Sequence, residues 1–225
     1  MQEHIWEKEY KNPKLVTLSN EASMALKDFT RWIRRVQKVS LNGVKILDLG
    51  CGNAKNSFYI ADQGVKNEII GIDISDTALK QAQQLAPTGK FIKQSIGISF
   101  PFTDETFDIV LDVTSSNSLN ESERKVYLEE THRVMKLGAH LFVRALCKDA
   151  DKNAQNLIKE FPGPEKDTYI MPELGLIERV FSKDDFTATY SPFFEILHLE
   201  KETHYTKFNG RPYKRNFWVA YLKRN

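Results

Sequence analysis

VKILDLGCGNAKNSFYIA, residues 44–61, is the stretch whose reading decides the fold. Residues 44–49 are apolar apart from Lys45 and Asp48 and read as a short buried strand. A glycine turn follows, and then an amphipathic helix that carries Phe58, Ile60 and Ala61. Gly50 and Gly52 remove two side chains where the strand must turn sharply, so a ligand can approach bare backbone and the first free amides of the next helix. Such a turn is a cofactor cradle. In a dinucleotide fingerprint the third small residue lets a pyrophosphate rest on the helix terminus, but here that place is Lys55. Asp48, two residues before the first glycine, puts a carboxylate where it would repel a pyrophosphate and suit an ammonium or sulfonium.

The segment EIIGIDIS, residues 68–75, reads as the next buried strand and ends in Asp73. An acidic residue about 20 positions beyond the glycine turn can accept hydrogen bonds from both hydroxyls of a ribose. NAD-binding proteins share this signal, so it indicates a nucleoside rather than one particular cofactor. Ser75 and Asp76 also precede a helix, which leaves a helix-capping role open for Asp73.

The run D-L-G-C-G-N-A, residues 48–54, resembles the first motif of class I S-adenosylmethionine-dependent methyltransferases, with Ala54 where that motif has its third glycine. The resemblance implies an α/β fold: a doubly wound, mostly parallel seven-stranded sheet of order 3-2-1-4-5-7-6 with helices on both faces. It implies S-adenosyl-L-methionine as cofactor and S-adenosyl-L-homocysteine as product. The expected cofactor site is Tyr10, Asp48, Gly50, Cys51, Gly52, Asp73, Ile74, Ser95, Ile96 and Asp112. In it Asp73 takes the ribose and Ile74 packs on the adenine. Many relatives have an acidic residue just past the third strand to hold the adenine amino group; here that place is Ile96, beside Ser95. Residues 134–139 resemble the R-V-L-K-P-G-G turn ahead of the fifth strand, with Leu137 and Ala139 replacing the proline and second glycine.

At 225 residues and 41% hydrophobic content the chain suits one domain with one sizeable core. A formal charge of +2 does not by itself argue for nucleic acid. The absence of a long apolar run argues against a membrane span, and the polar N-terminus lacks the core of a signal peptide. Two cysteines, Cys51 and Cys147, do not suggest a disulfide framework, so a cytoplasmic setting is expected. His198 and His204 lack the Cys or carboxylate neighbours of a metal site, and no metal is expected.

The chain divides into an N-terminal helical cover (residues 1–40), a cofactor-binding core (41–147), a substrate lid (148–181) and a C-terminal helix with edge strands (182–225). In the cover, Ala25, Leu26, Phe29, Trp32, Ile33 and Val36 recur at helical spacing. Trp6 and Tyr10 ahead of them are candidates to close over the methionine end of the cofactor. Residues 107–111 form the fourth strand, whose carboxyl end should face the transferable methyl. Asp112 is therefore the candidate base and Asn117 a candidate to orient the acceptor; capping of the next helix is the competing role for Asn117 and Asn120. Residues 161–180 carry three of the eight prolines with Tyr169 and Arg179 and read as an irregular lid. The tail, residues 201–225, has seven Lys or Arg against Glu202 alone, interleaved with aromatics. Trp6, Arg144, Tyr169, Arg179, Arg211 and Tyr213 are the expected substrate-binding residues. Methyl transfer to the oxygen or nitrogen of a small molecule is the expected activity. RNA is the alternative acceptor, since cations among aromatics bind phosphates and stack bases. A nucleotide-dependent oxidoreductase and a regulatory module without catalysis are the rivals from other classes.

Overall fold

The computed structural model describes residues 2–15, 19–208 and 211–225, with the side chains of residues 206–208 and 211–213 outside that description. In chain order the elements are α1 (Glu3–Lys11), α2 (Met24–Arg35), β1 (Lys45–Leu49), α3 (Lys55–Ala61), β2 (Glu68–Asp73), α4 (Asp76–Leu85) and β3 (Lys90–Lys93). There follow β4 (Phe107–Val113), α5 (Glu121–Val134), β5 (Met135–Leu146), α6 (Lys152–Glu160), β6 (Thr168–Met171), β7 (Leu176–Arg179), α7 (Lys183–Tyr190), β8 (Glu195–Phe208) and β9 (Arg211–Lys223). Seven strands make one sheet in the order β3-β2-β1-β4-β5-β9-β8, while β6 and β7 form a separate hairpin. Counting the large sheet alone, this is the expected order 3-2-1-4-5-7-6. β1 runs parallel to β2 and β4, and β9 lies antiparallel between β5 and β8.

Strand alternation sends side chains to two cores. On one face Ile46, Ile109, Leu111, Phe142 and Tyr221 receive Leu26, Phe29 and Ile33 of α2 and Ile60 of α3. Each of these large α2 side chains contributes about 1.5–3 kcal/mol by leaving water. On the other face Leu47, Leu49, Val110 and Val143 pack against Tyr127 of α5 and against Phe186 and Tyr190 of α7. The parallel strands therefore carry their loops to the same edge of the sheet, where the cavity lies.

Two expectations change. The segment ahead of the fifth strand is not a turn: β5 already begins at Met135, pairing with Phe107, and a register shift restores alignment by His140. Residues 161–180 are not irregular, because β6 and β7 pair antiparallel and share a third core of Tyr169, Met171, Leu176 and Val180 with Leu146 and Phe217. Runs of four residues between prolines are too short to show a period. The N-terminus forms a helix of its own, α1, whose Ile5 and Trp6 pack on that third core.

Candidate active site

The turn after β1 is held by backbone. Gly50 N and Cys51 N both donate to Ile72 O, at 2.8 and 3.0 Å, tying the tip of β1 to its neighbour β2. Gly50 and Gly52 have φ of 68° and 55°, and Ala54, in the place of the motif's third glycine, has 61°. All three lie in the left-handed region that glycine adopts freely. A Cβ on Gly50 would overlap the Ser115 side chain, and one on Gly52 would overlap the Tyr10 hydroxyl. Asp73 braces the same turn: Gly52 N donates to Oδ2 at 2.9 Å and Ser75 N to Oδ1 at 2.9 Å. Burial, opposed by these amide bonds, raises its pKa. The capping of α4 belongs to Ser75, whose hydroxyl accepts from Ala78 N.

These groups open onto one cavity of about 520 Å³. Among the expected residues, Trp6, Tyr10, Gly50, Cys51, Gly52, Asp73, Ile74, Ser95, Ile96 and Arg144 line it. Asp48 does not. It is 2% exposed beneath the turn, bonded to Ser57 of α3, and its Oδ2 has no partner among the described residues. Burial pushes it up to about 7, with Ser57 opposing and Asp73 and Asp112 adding to the rise.

The catalytic assignments of Asp112 and Asn117 are not supported by position. Asp112 is fully buried behind the wall; its Oδ1 accepts from Ser115 N and Ser116 N, and its Oδ2 from the Tyr127 hydroxyl at 2.8 Å. These three donors occupy its carboxylate, and it does not line the cavity. Asn117 is buried in the 3-10 turn and accepts from Leu146 N at 3.1 Å, so it ties that turn to β5. It caps no helix; Asn120 does, in a reciprocal capping box with Glu123. Tyr169 and Arg179 also lie off the cavity wall. Tyr169 donates to Glu178 at 2.6 Å, and Arg179 pairs with Asp185 at 2.7 Å. The side chains of Arg211 and Tyr213 fall outside the described residues.

Helix α1 bridges the two sides of the cavity. Gln2 donates to Ser118 O and Ile177 O and accepts from Ile177 N. One turn further along, the Glu7 carboxylate accepts from Ser75 Oγ at 2.7 Å, Thr77 Oγ1 at 2.7 Å and Thr77 N at 3.1 Å, at the N-terminus of α4. Burial works against that charge, but the bonds from Ser75, Thr77 and Lys11 hold it at about 2.

The far wall contains residues that were not expected: Glu178 from β7, Glu202 and His204 from β8, and Arg215 and Phe217 from β9. Glu202 faces Phe217 and His204 faces Arg215 across the hairpin. Period-two alternation in β8 and β9 would have put these four on one face; the face's relation to the cavity is tertiary. Arg144 of β5 lies over the Phe217 ring, 3.4 Å from its centroid, and its Nε reaches Glu202 at 2.8 Å. Among the described residues no His, Cys, Asp or Glu group forms a candidate metal site, and no helix is long and apolar enough to cross a membrane.

The fold and this cradle can be set beside known proteins. Residues 40–187 match a family model described as a methyltransferase domain. The chain belongs to that family, and its fold is that of class I S-adenosylmethionine-dependent methyltransferases. It is 29% identical over 163 residues to the demethylmenaquinone methyltransferase of Thermotoga maritima, covering 72% of this chain and 67% of that one. It is 32% identical over 114 residues to the O-methyltransferase resE of Aspergillus sclerotiorum, covering 48% of this chain and 42% of that one. The aligned segment spans under half the length of several of these curated relatives. Among solved structures, a methyltransferase of Methanosarcina mazei superposes with a TM-score of 0.70 at 21% identity, covering 84% of this chain and 95% of that one. The 1,6-didemethyltoxoflavin-N1-methyltransferase of Burkholderia thailandensis, bound to 1,6-didemethyltoxoflavin and S-adenosylhomocysteine, superposes with a TM-score of 0.67 at 11% identity, covering 99% and 87%.

Proposed function

We propose that this methyltransferase acts on a small-molecule acceptor, methylating oxygen or nitrogen. The observation that carries this reading is a single cavity, running from the Gly50–Gly52 turn to the Arg144–Glu178–Arg215 wall, of a size that suits a small ligand. The cradle fits the cofactor, because side chains are missing where a nucleoside needs backbone and the groups beneath the turn are carboxylates. S-adenosylmethionine supplies an electrophilic methyl group and leaves as S-adenosylhomocysteine. Asp73 would hold the ribose, Ile74 and Ile96 the adenine faces, and Ser95 the adenine edge. Tyr10 and Trp6, carried by the N-terminal cover, would close over the methionine end. The segment 148–181 would act as a wall of the acceptor chamber through its β6–β7 hairpin. Catalysis then rests mainly on holding donor and acceptor in line. Relatives named as O-methyltransferase and demethylmenaquinone methyltransferase support a small acceptor. The buried thiols Cys51 and Cys147 suit the reduced cytoplasm.

Calorimetry should show S-adenosylhomocysteine binding, and Asp73→Ala should weaken it about ten- to hundred-fold, as expected for loss of one or two charge-assisted hydrogen bonds. Incubation of the protein with labelled S-adenosylmethionine and a cell extract should put label in the small-molecule fraction. Label confined to RNA or protein would overturn the acceptor assignment.

A further inference from the structure

Glu178 is a buried carboxyl at the cavity wall. It is 5% exposed, yet it lines the cavity beside Arg144, Glu202 and Phe217. The Tyr169 hydroxyl donates to its Oε2 at 2.6 Å and Arg215 Nη2 donates to the same oxygen at 3.0 Å. Arg215 also reaches the Tyr169 hydroxyl. Oε1 is the oxygen that neither donor holds. Burying such a pair costs more than burying apolar residues of similar size, so its position at a cavity wall calls for a chemical reason.

Resting on the small-acceptor reading above, we propose that Glu178 accepts the proton of a flat, hydroxyl-bearing methyl acceptor seated among Trp6, Leu146 and Phe217. The acceptor's O–H bond breaks, its proton passes to Glu178 Oε1, and the bonding pair stays on the acceptor oxygen, where the new bond to the methyl would form as the methyl's bond to the donor sulfur breaks and leaves its electron pair on sulfur. Glu178 then returns the proton to water. Tyr169 and Arg215 are positioning residues: they fix Oε2 and so aim Oε1. Arg144 and Glu202, and Arg215 and Glu178, balance one another in charge, so the chamber suits a neutral acceptor. The apolar side chains between them suit a ring. Burial raises the Glu178 pKa above the usual carboxylate range, toward that of a phenol, which makes the transfer less uphill. Tyr169 from β6 and Arg215 from β9 are bonded to it, Arg144 from β5 and Glu202 and His204 from β8 line the same cavity, and Asp151 lies behind Arg215.

The test uses naphthol, whose fluorescence reports binding, added to the full chain saturated with S-adenosylhomocysteine. The wild-type protein should bind naphthol about five-fold more tightly at about pH 9 than at about pH 7, since a carboxylate makes the stronger hydrogen bond to a hydroxyl. Glu178→Gln should remove that dependence and keep S-adenosylhomocysteine affinity within about two-fold. Tyr169→Phe takes a donor from the carboxylate and should move the transition to higher pH; it decides the matter if Glu178→Gln fails to melt cooperatively. Absence of naphthol binding, or pH dependence unchanged in both variants, overturns the proposal. Failure of the wild-type chain to bind S-adenosylhomocysteine would instead overturn the cofactor cradle.

Discussion

At the glycine turn the cavity wall is backbone from one continuous stretch, Gly50 to Gly52 braced by Asp73; at the opposite end it is side chains, with Arg144, Glu178, Glu202 and Arg215 arriving from four strands. The first end depends on what is missing, because a single Cβ would collide with Ser115 or Tyr10. The second depends on which charges are paired, because Arg144–Glu202 and Arg215–Glu178 satisfy one another away from bulk water. Changes at the two ends should therefore separate cleanly: cofactor affinity should follow the turn, and acceptor properties the strand tips.

The largest separation is expected from Gly50→Val. It forces a β-branched residue to a φ of 68° and into Ser115, so S-adenosylhomocysteine binding should be lost and thermal stability should fall by about 2–4 kcal/mol, read by calorimetry and melting. Arg144→Met tests the other end. It strands the Glu202 carboxylate at a site only partly open to solvent, so stability should drop by about 1–3 kcal/mol while S-adenosylhomocysteine affinity stays within about two-fold. Equal loss of affinity in the two variants would show that the ends are not independent.

The bridge between the ends is weaker. Glu7→Gln should raise the dissociation rate of S-adenosylhomocysteine about five-fold by loosening α1 from α4, with stopped-flow displacement as the measurement. The pH dependence has a definite sign. The folded-state value of Glu7, about 2, lies below its ordinary value, so its contribution is complete above about pH 4.5 and fades as pH falls toward 2. Melting temperatures between those values should fall more steeply in wild type than in Glu7→Gln. The smallest effect is expected from Lys93→Met: its pairs with Glu3 and Asp76 are exposed, so the melting temperature should not change measurably.

The difference between the ends also explains what could be read from the chain. A strand, a glycine turn and an acidic residue at the next strand tip are neighbours in sequence, so residues 44–75 announce the cradle and its sheet. Asp112 misled because position at a strand's carboxyl end says where the Cα lies and nothing about the side chain, which Tyr127, Ser115 and Ser116 draw inward. Asp48 was turned inward in the same way by Ser57. Glu178 gave no local sign, because Tyr169 meets it only when β6 and β7 pair, and Arg215, 37 residues away, only when that hairpin docks on β9.

The sequence by itself determined the strands and the bare-backbone cradle, since hydrophobic period and glycine placement act over a few residues, while the strand order came from the motif's resemblance to the methyltransferases. The tertiary structure alone decided which carboxyls line the far end of the cavity and how α1 bridges its two sides. Those outcomes depend on donors brought from distant elements, and hydrogen-bond partners of that kind leave no spacing in the chain to read.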